Sequence, residues 1–220
     1  VGGVAAIRKE DGVISPGGIG YDINCGVRLL LSQFTSEELG RHMDALAVQM
    51  QRDVPSGVGR GGACQLGRKE MDRVLDNGAK WAFKEGFASE ADIEAMEEHG
   101  HYQAASADFV SDEAKDRGSD QLGTLGSGNH FIEIQKVERV FEPEIADAFG
   151  LFPDQLGVMI HTGSRGLGHQ VCTDYVRRMH QGGGRHGIVL PDRELACAPF
   201  SSEEGQEYFH AMAAAANFAW

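Results

Sequence analysis

A mixed α+β fold is predicted by three features of this 220-residue sequence. Apolar residues make up 41% and charged residues 24%, the proportions of a chain that buries a core rather than a disordered one. Short apolar runs bounded by glycine and proline alternate with longer stretches in which apolar residues recur every three or four positions. That alternation is irregular, so mixed sheets with surrounding helices are expected rather than a doubly wound parallel sheet. The length suits one domain, residues 1–220. VGGVAAI reads as a strand already under way and GQEYFHAMAAAANFAW as a helix without a stop signal. The fold is therefore expected to be incomplete at both ends.

The elements follow in order. Residues 4–7 and 13–14 flank the charged turn RKEDG and predict a hairpin. Ser15-Pro16-Gly17-Gly18 is a turn, and residues 27–32 read as a buried strand. Thr35 and Glu38 form a capping-box pattern that opens a helix to about Arg52, with Leu39, Met43, Leu46 and Met50 at helical spacing. Residues 55–63 are a glycine-rich loop. A second helix is predicted over residues 69–83, with Met71, Val74, Leu75 and Trp81 inward, and Ser89 caps a third that ends near Gly100. Residues 106–120 are acidic and polar and read as surface. GTLGSGNHFIEIQ is a glycine loop feeding a strand. Pro143 opens a short helix closed by Gly150. Residues 157–160 form a strand that delivers HTGSRGLGH, and a helix follows through Met179. QGGGRHG is a loop, and Ser201 with Glu204 caps the last helix.

The net charge of −13 and pI near 5.1 lack the basic footprint of an ordinary nucleic-acid binder. A polyanionic ligand would have to be held by local arginines, backbone amides or bound cations. Cys25, Cys64, Cys172 and Cys197 form no CxxC pair and no disulfide framework. The sequence has neither a signal-peptide pattern nor an apolar run of membrane length. A reducing, cytoplasmic setting without a membrane is expected.

Three stretches share one design, a glycine-rich turn adjoining a strand and carrying a metal-capable side chain. They are GYDINCG, GSGNHF and IHTGSRGLGH, and they offer Asp22, Cys25, His130, His161 and His169. A thiolate, imidazoles and a carboxylate can make a divalent-metal shell, with zinc favoured by sulfur and nitrogen alone and manganese admitted once oxygen ligands join. Cys25 can equally be a packing residue, and Asp22 a turn former. Strict alternation puts His130 and Glu133 on opposite faces of a strand, so both serve one site only if the strand begins irregularly. Phe131 and Glu133 could grip a purine by stacking and by accepting base N–H groups. Thr162, Ser164 and Arg165 among glycine amides suit an anion nest, or an ordinary strand-to-helix loop with a hydroxyl cap. His169 ranks below His161 as a ligand. His99 at a helix end is explained by the helix dipole. His42, His180, His186 and His210 read as surface, and Cys64, Cys172 and Cys197 as packing. Arg60, Arg68 and Lys69 could approach a phosphate backbone, although a solvated loop explains them as well.

Taken together, GGVAAI, DGVISPGGIGYDINCGVRLL, VPSGVG, LGTLGSGNHFIEIQ, IHTGSRGLGHQV and GQEYFHAMAAAANFAW resemble the RtcB family of RNA-splicing ligases. The matching strings run in order through most of the chain, and DINCGVR and GSGNHFIEI are the most specific. The resemblance implies an enzyme that joins an RNA 3′-phosphate or 2′,3′-cyclic phosphate to a 5′-hydroxyl, with tRNA halves among its substrates. It implies GTP and two Mn2+ ions as cofactors, and a histidine that takes up GMP and passes it to the RNA 3′-phosphate. Cys25 would be shared by both metals, Asp22 would bind one, and His130 and His161 the other. Asn129 would touch nucleotide phosphates or orient that shell, Phe131 and Glu133 would contact guanine, and Arg165 would hold a phosphate or RNA oxygen. The family's nucleophilic histidine lies in an SHGAGR-like string, and this sequence has none, so that residue and a further metal histidine are expected beyond Trp220. The segment by itself is expected to be inactive, and any activating protein is unspecified. Two other readings compete: a metal-dependent phosphoesterase, and a non-catalytic metal- or RNA-binding module.

Overall fold

The computed structural model describes residues 3–57, 61–62, 64–182 and 186–220. Along the chain run β1 (Val13–Ile14), α1 (Pro16–Ile19), β2 (Gly26–Thr35), α2 (Ser36–Leu39), α3 (Met43–Asp53), α4 (Arg68–Asn77), α5 (Ala79–Lys84) and α6 (Glu90–Ala95). There follow α7 (Asp112–Gly118), β3 (Phe131–Lys136), α8 (Pro143–Ala148), β4 (Gln155–Thr162), α9 (Arg165–Gly182), β5 (Ala198–Pro199) and α10 (Glu203–Ala219). Helices and two antiparallel sheets make this the mixed α+β class. The chain groups into two compact units: Val1–Asn24 with Gln65–Leu122 and Gly163–Trp220, and Cys25–Cys64 with Gly123–Thr162. No helix among the described residues is long and apolar enough to cross a membrane.

The first unit is a helical core. Its centre is α10, where Ala211, Ala213, Ala214, Ala215, Ala216 and Phe218 are all buried. The alanine run leaves little side chain between α10 and its neighbours, so α9 and α4 pack directly against it. Leu167, Val171 and Tyr175 on α9 recur every fourth residue and are buried, as are Met71, Val74 and Leu75 on α4. The one buried amide of α10 is paired on both sides. Asn217 Nδ2 donates to the Leu75 carbonyl at 2.8 Å, and its Oδ1 accepts from the Tyr102 amide at 2.8 Å.

Several sequence expectations change here. Residues 4–7 form no strand, and β1 pairs with β5 rather than closing a hairpin. The helix predicted over residues 69–83 breaks at Gly78, which adopts φ +57°. A side chain there would lie 2.2 Å from the Gly100 carbonyl oxygen. The helix capped by Ser89 ends at Ala95 and continues to Gly100 only as a tight turn, with Glu98 and His99 left-handed. Residues 106–120 are not simply surface, because α7 lies there and Ala107, Val110 and Ala114 are buried. The cap of α10 is Ser202, not Ser201. His210 is no surface residue either: Nδ1 lies 2.5 Å from the Ala104 carbonyl and the ring stacks on Phe109.

The second unit is built on a three-stranded antiparallel sheet ordered β2-β4-β3. The register sets Val27 opposite His161 opposite Phe131, and Leu29 opposite Met159 opposite Glu133. Directly opposed residues share a face, so one face carries Val27, Leu29 and Leu31, His161 and Met159, and Phe131, Glu133 and Gln135. The capping box of Thr35 and Glu38 is present. The helix it opens, however, is interrupted by a tight turn at Gly40–His42 before α3 begins, and α3 buries no residue. The strand predicted over residues 27–32 exists but is not buried, since Val27 is 54% and Leu30 50% exposed. At the far end of the sheet, buried Gln155 donates to the Ser32 and Gly150 carbonyls, and Ser36 donates to Asp154 Oδ1 at 2.6 Å.

Candidate metal centre

Antiparallel pairing brings the starts of β2 and β3 to the same end of the sheet as the finish of β4. Three side chains meet at that end of the second unit. Cys25 stands immediately before β2, His161 is the next-to-last residue of β4, and His130 stands immediately before β3. The Cys25 sulfur lies 3.0 Å from His161 Nε2 and 3.6 Å from His130 Nε2. Asn129 Nδ2 points at the same sulfur from 3.7 Å.

Local sequence explains each placement. Gly126 and Gly128 take positive φ, and the His130 amide closes a turn onto the Ser127 carbonyl at 3.5 Å. His130 is therefore in a turn rather than in the pleat of β3, and alternation does not bind it to the face opposite Glu133. The Thr162 hydroxyl donates to the Leu125 carbonyl at 2.8 Å, which ties the turn segment to the end of β4. Phe131 meets His161 edge to face, with ring centroids 5.3 Å apart and planes at 84°, and the His130 ring lies 5.6 Å from that of His161. Glu133 is exposed and accepts from Gln135 Nε2 at 2.9 Å.

The donor set fits a divalent metal. Thiolate sulfur and imidazole nitrogen bound to one tetrahedral ion sit about 3.6 Å apart. The sulfur to His130 Nε2 distance already has that value, and the one to His161 needs to open by only a fraction of an ångström. Cys25 is exposed, so an ion has access to it.

In the first unit, Asp22 and Arg165 flank Gly163. An added Cβ on Gly163 would lie 2.4 Å from Asp22 Oδ1, so the carboxylate is seated on a residue that must lack a side chain. Burial pushes the Arg165 guanidinium down and the nearby Asp22 carboxylate opposes that shift. Arg165 opens α9 with φ +54°. Other groups expected in an anion nest are bonded or buried. Thr162 is bonded to Leu125, Ser164 is fully buried, and the Gly166 amide donates to Gln121 Oε1 at 2.8 Å.

His169 is exposed, and its ring lies against Tyr21 at 4.9 Å. The Tyr21 hydroxyl donates to Glu194, which pushes its pKa up to about 12. This anchor of the residue preceding Asp22 was not read from the sequence, and the only available signal was an aromatic beside the acid in GYDINC. Cys172 and Cys197 are buried, and burial raises the Cys172 thiol to about 12. Arg68 pairs with Asp112 and Asp116. Arg60 lies outside the described residues.

Comparison with known proteins gives the lineage. All of residues 1–220 match the family model described as tRNA-splicing ligase RtcB. The chain belongs to the RtcB family. A tRNA-splicing ligase RtcB of Thermococcus kodakarensis is 54% identical over 220 residues, covering 100% of this chain and 46% of that protein. One from Methanococcus maripaludis is 51% identical with the same coverage. An RNA-splicing ligase RtcB of Mycobacterium bovis is 50% identical over 221 residues, covering 99% of this chain and 51% of that protein. The chain thus spans about half the length of the curated relatives it matches. The strings GYDINCG, GSGNHF and IHTGSRG, on which the resemblance to the family rests, deliver Cys25, His130 and His161.

Proposed function

We propose that this chain forms the metal- and nucleotide-binding part of a GTP- and manganese-dependent ligase that joins RNA 3′-phosphate or 2′,3′-cyclic phosphate ends to 5′-hydroxyl ends, tRNA halves among them. The observation that carries the reading is the convergence of Cys25, His130 and His161 at one end of the sheet, in a chain that matches the RtcB family model along its whole length. Bound Mn2+ would neutralise charge on the transferred phosphoryl group, the main demand of this chemistry.

The chain's own residues have distinct tasks in this scheme. Cys25 and the Nε2 atoms of His130 and His161 would hold one metal, and Asp22 with Cys25 would hold the second. Asn129 directs an N–H at the Cys25 sulfur and so orients the thiolate, and it reaches nucleotide phosphate. Phe131 offers a face to guanine, and Glu133 accepts its N–H groups. Arg165 supplies a fixed positive charge for a phosphate oxygen in a chain whose net charge is −13. The histidine that takes up GMP is assigned to sequence outside residues 1–220.

The test is to incubate the 220-residue chain and the full-length protein with labelled GTP and Mn2+. The full-length protein is expected to form an acid-labile protein–GMP adduct and to join a 3′-phosphate RNA to a 5′-hydroxyl RNA. The 220-residue chain is expected to form no adduct, and an adduct on it would refute the assignment. Release of phosphate from a 2′,3′-cyclic end without GTP would favour a phosphoesterase instead. Stoichiometric metal binding without turnover by the full-length protein would favour a binding module.

A further inference from the structure

The metal end of the sheet and the face offered to the base share one side chain. Phe131 lies directly opposite His161 across the β3–β4 pair, and the two rings meet edge to face at 5.3 Å. On its other strand neighbour His161 has only Val27, a short aliphatic side chain that is 54% exposed. The second torsion of histidine is soft, with a broad rather than staggered preference. The direction of Nε2, which must point at the metal beside the Cys25 sulfur, is therefore set largely by what packs against the ring. Two rings do so, Phe131 within the sheet and His130 from the turn before β3, and of these Phe131 is the one read as facing the base.

We infer that Phe131 couples the base site to the metal shell: a guanine stacked on Phe131 fixes the orientation of His161 and so tightens metal binding, independently of any phosphate–metal bond. The inference rests on the reading that Phe131 faces guanine. Phe131 is in this respect a positioning residue, acting on the metal through His161. Coupling free energies are reciprocal, so metal must tighten base binding by the same factor. An aromatic pair of this geometry supports a factor of about three to ten.

The experiment uses the full-length protein and guanosine, which has no phosphate to touch the metal. Mn2+ affinity is measured by calorimetry without and with saturating guanosine, and guanosine affinity without and with Mn2+. The expected result is Mn2+ binding about threefold to tenfold tighter with guanosine, and the same factor in the reverse titration. In Phe131→Leu the factor falls to about one, while Phe131→Tyr, which keeps the ring, retains it. The comparison is a ratio within each variant, so a general loss of stability does not imitate it. Guanosine that binds the wild type and leaves Mn2+ affinity unchanged overturns the coupling and leaves the base site standing. Guanosine that does not bind at all overturns the base-site reading and the coupling with it. Equal coupling in Phe131→Leu and wild type removes Phe131 from the path.

Discussion

Gly163→Ala is the smallest change that should disturb the seat of Asp22. The backbone of Gly163 lies outside the left-handed region, so alanine introduces no conformational strain of its own. Its methyl carbon would fall 2.4 Å from Asp22 Oδ1, 2.8 Å from Cγ and 2.9 Å from Oδ2. An ordinary carbon–oxygen contact is nearer 3.4 Å, so the carboxylate must retreat by about 1 Å, leaving its rotamer or pushing its neighbours. Overpacking of this kind costs about 1–3 kcal/mol, which lowers the melting temperature of a chain this size by about 2–12 °C. A double-mutant cycle isolates the cause. In an Asp22→Ala background the obstructing atoms are gone, and Gly163→Ala should be neutral or stabilising by about 0.4–1 kcal/mol through its effect on the unfolded chain. A coupling energy of about 1–4 kcal/mol is expected from urea unfolding of the four proteins. Gly163→Ala should also weaken Mn2+ binding by the full-length protein, because the displaced carboxylate is a proposed ligand. Equal losses of stability in both backgrounds would refute the claim that Asp22 is what Gly163 accommodates.

Three further outcomes are expected. Cys25→Ala should abolish tight Mn2+ binding by the full-length protein, and unchanged calorimetric affinity would return Cys25 to a packing role. Gly78→Ala should destabilise by about 2–4 kcal/mol, since it combines a left-handed backbone with a 2.2 Å approach to the Gly100 carbonyl, and an unchanged urea midpoint would show that the turn can relax. Burial, helped by the Lys80 charge, pushes the His101 imidazole below its ordinary value of 6.5. The unfolded chain then takes up the proton first, so this stability is present above pH 6.5 and is lost as pH falls through it. His101→Gln should flatten the fall in urea midpoint between about pH 8 and pH 5, and an unaltered slope would assign it to other groups.

The parts of the fold that were legible are those where one residue's backbone preference decides the outcome. The Thr35–Glu38 capping box and the Pro143 to Gly150 helix appear where the sequence places them. Errors arose where tertiary context overrides a local signal. The apolar run from Val27 reads as buried because of its composition, yet β2 lies at the edge of its sheet and exposes those side chains. Residues 106–120 look like surface because acids outnumber apolar residues, yet Ala107, Val110 and Ala114 are buried, and the two alanines among them carry little hydropathy signal. The second helix looked continuous because Met71, Val74, Leu75 and Trp81 keep helical spacing across Gly78, and all four are indeed buried on the two separate helices.

For the site, the residue types were legible and their meeting was not. Cys25, His130 and His161 are separated by more than a hundred positions and by thirty-one, and nothing in those intervals specifies contact. What converts the spacing into a cluster is register. With Gly26 opposite Thr162, Cys25 falls just beyond the end of β4, and with Phe131 opposite His161, His130 falls level with Thr162, the last residue of β4. A slip of one residue in either pair would carry His161 out of line with Val27 or Phe131 and invert the faces of the slipped strand. The apolar row of Val27, Leu29 and Leu31 that surprises by its exposure is therefore tied to the site by the same constraint. It lies on the face of His161, Phe131 and Glu133, and the alternation that turns His161 toward Cys25 is the alternation that turns Leu29 and Leu31 the same way. A polar substitution at Leu29 would leave that register in place, whereas an insertion between Cys25 and Leu29 would uncouple the thiol from both imidazoles.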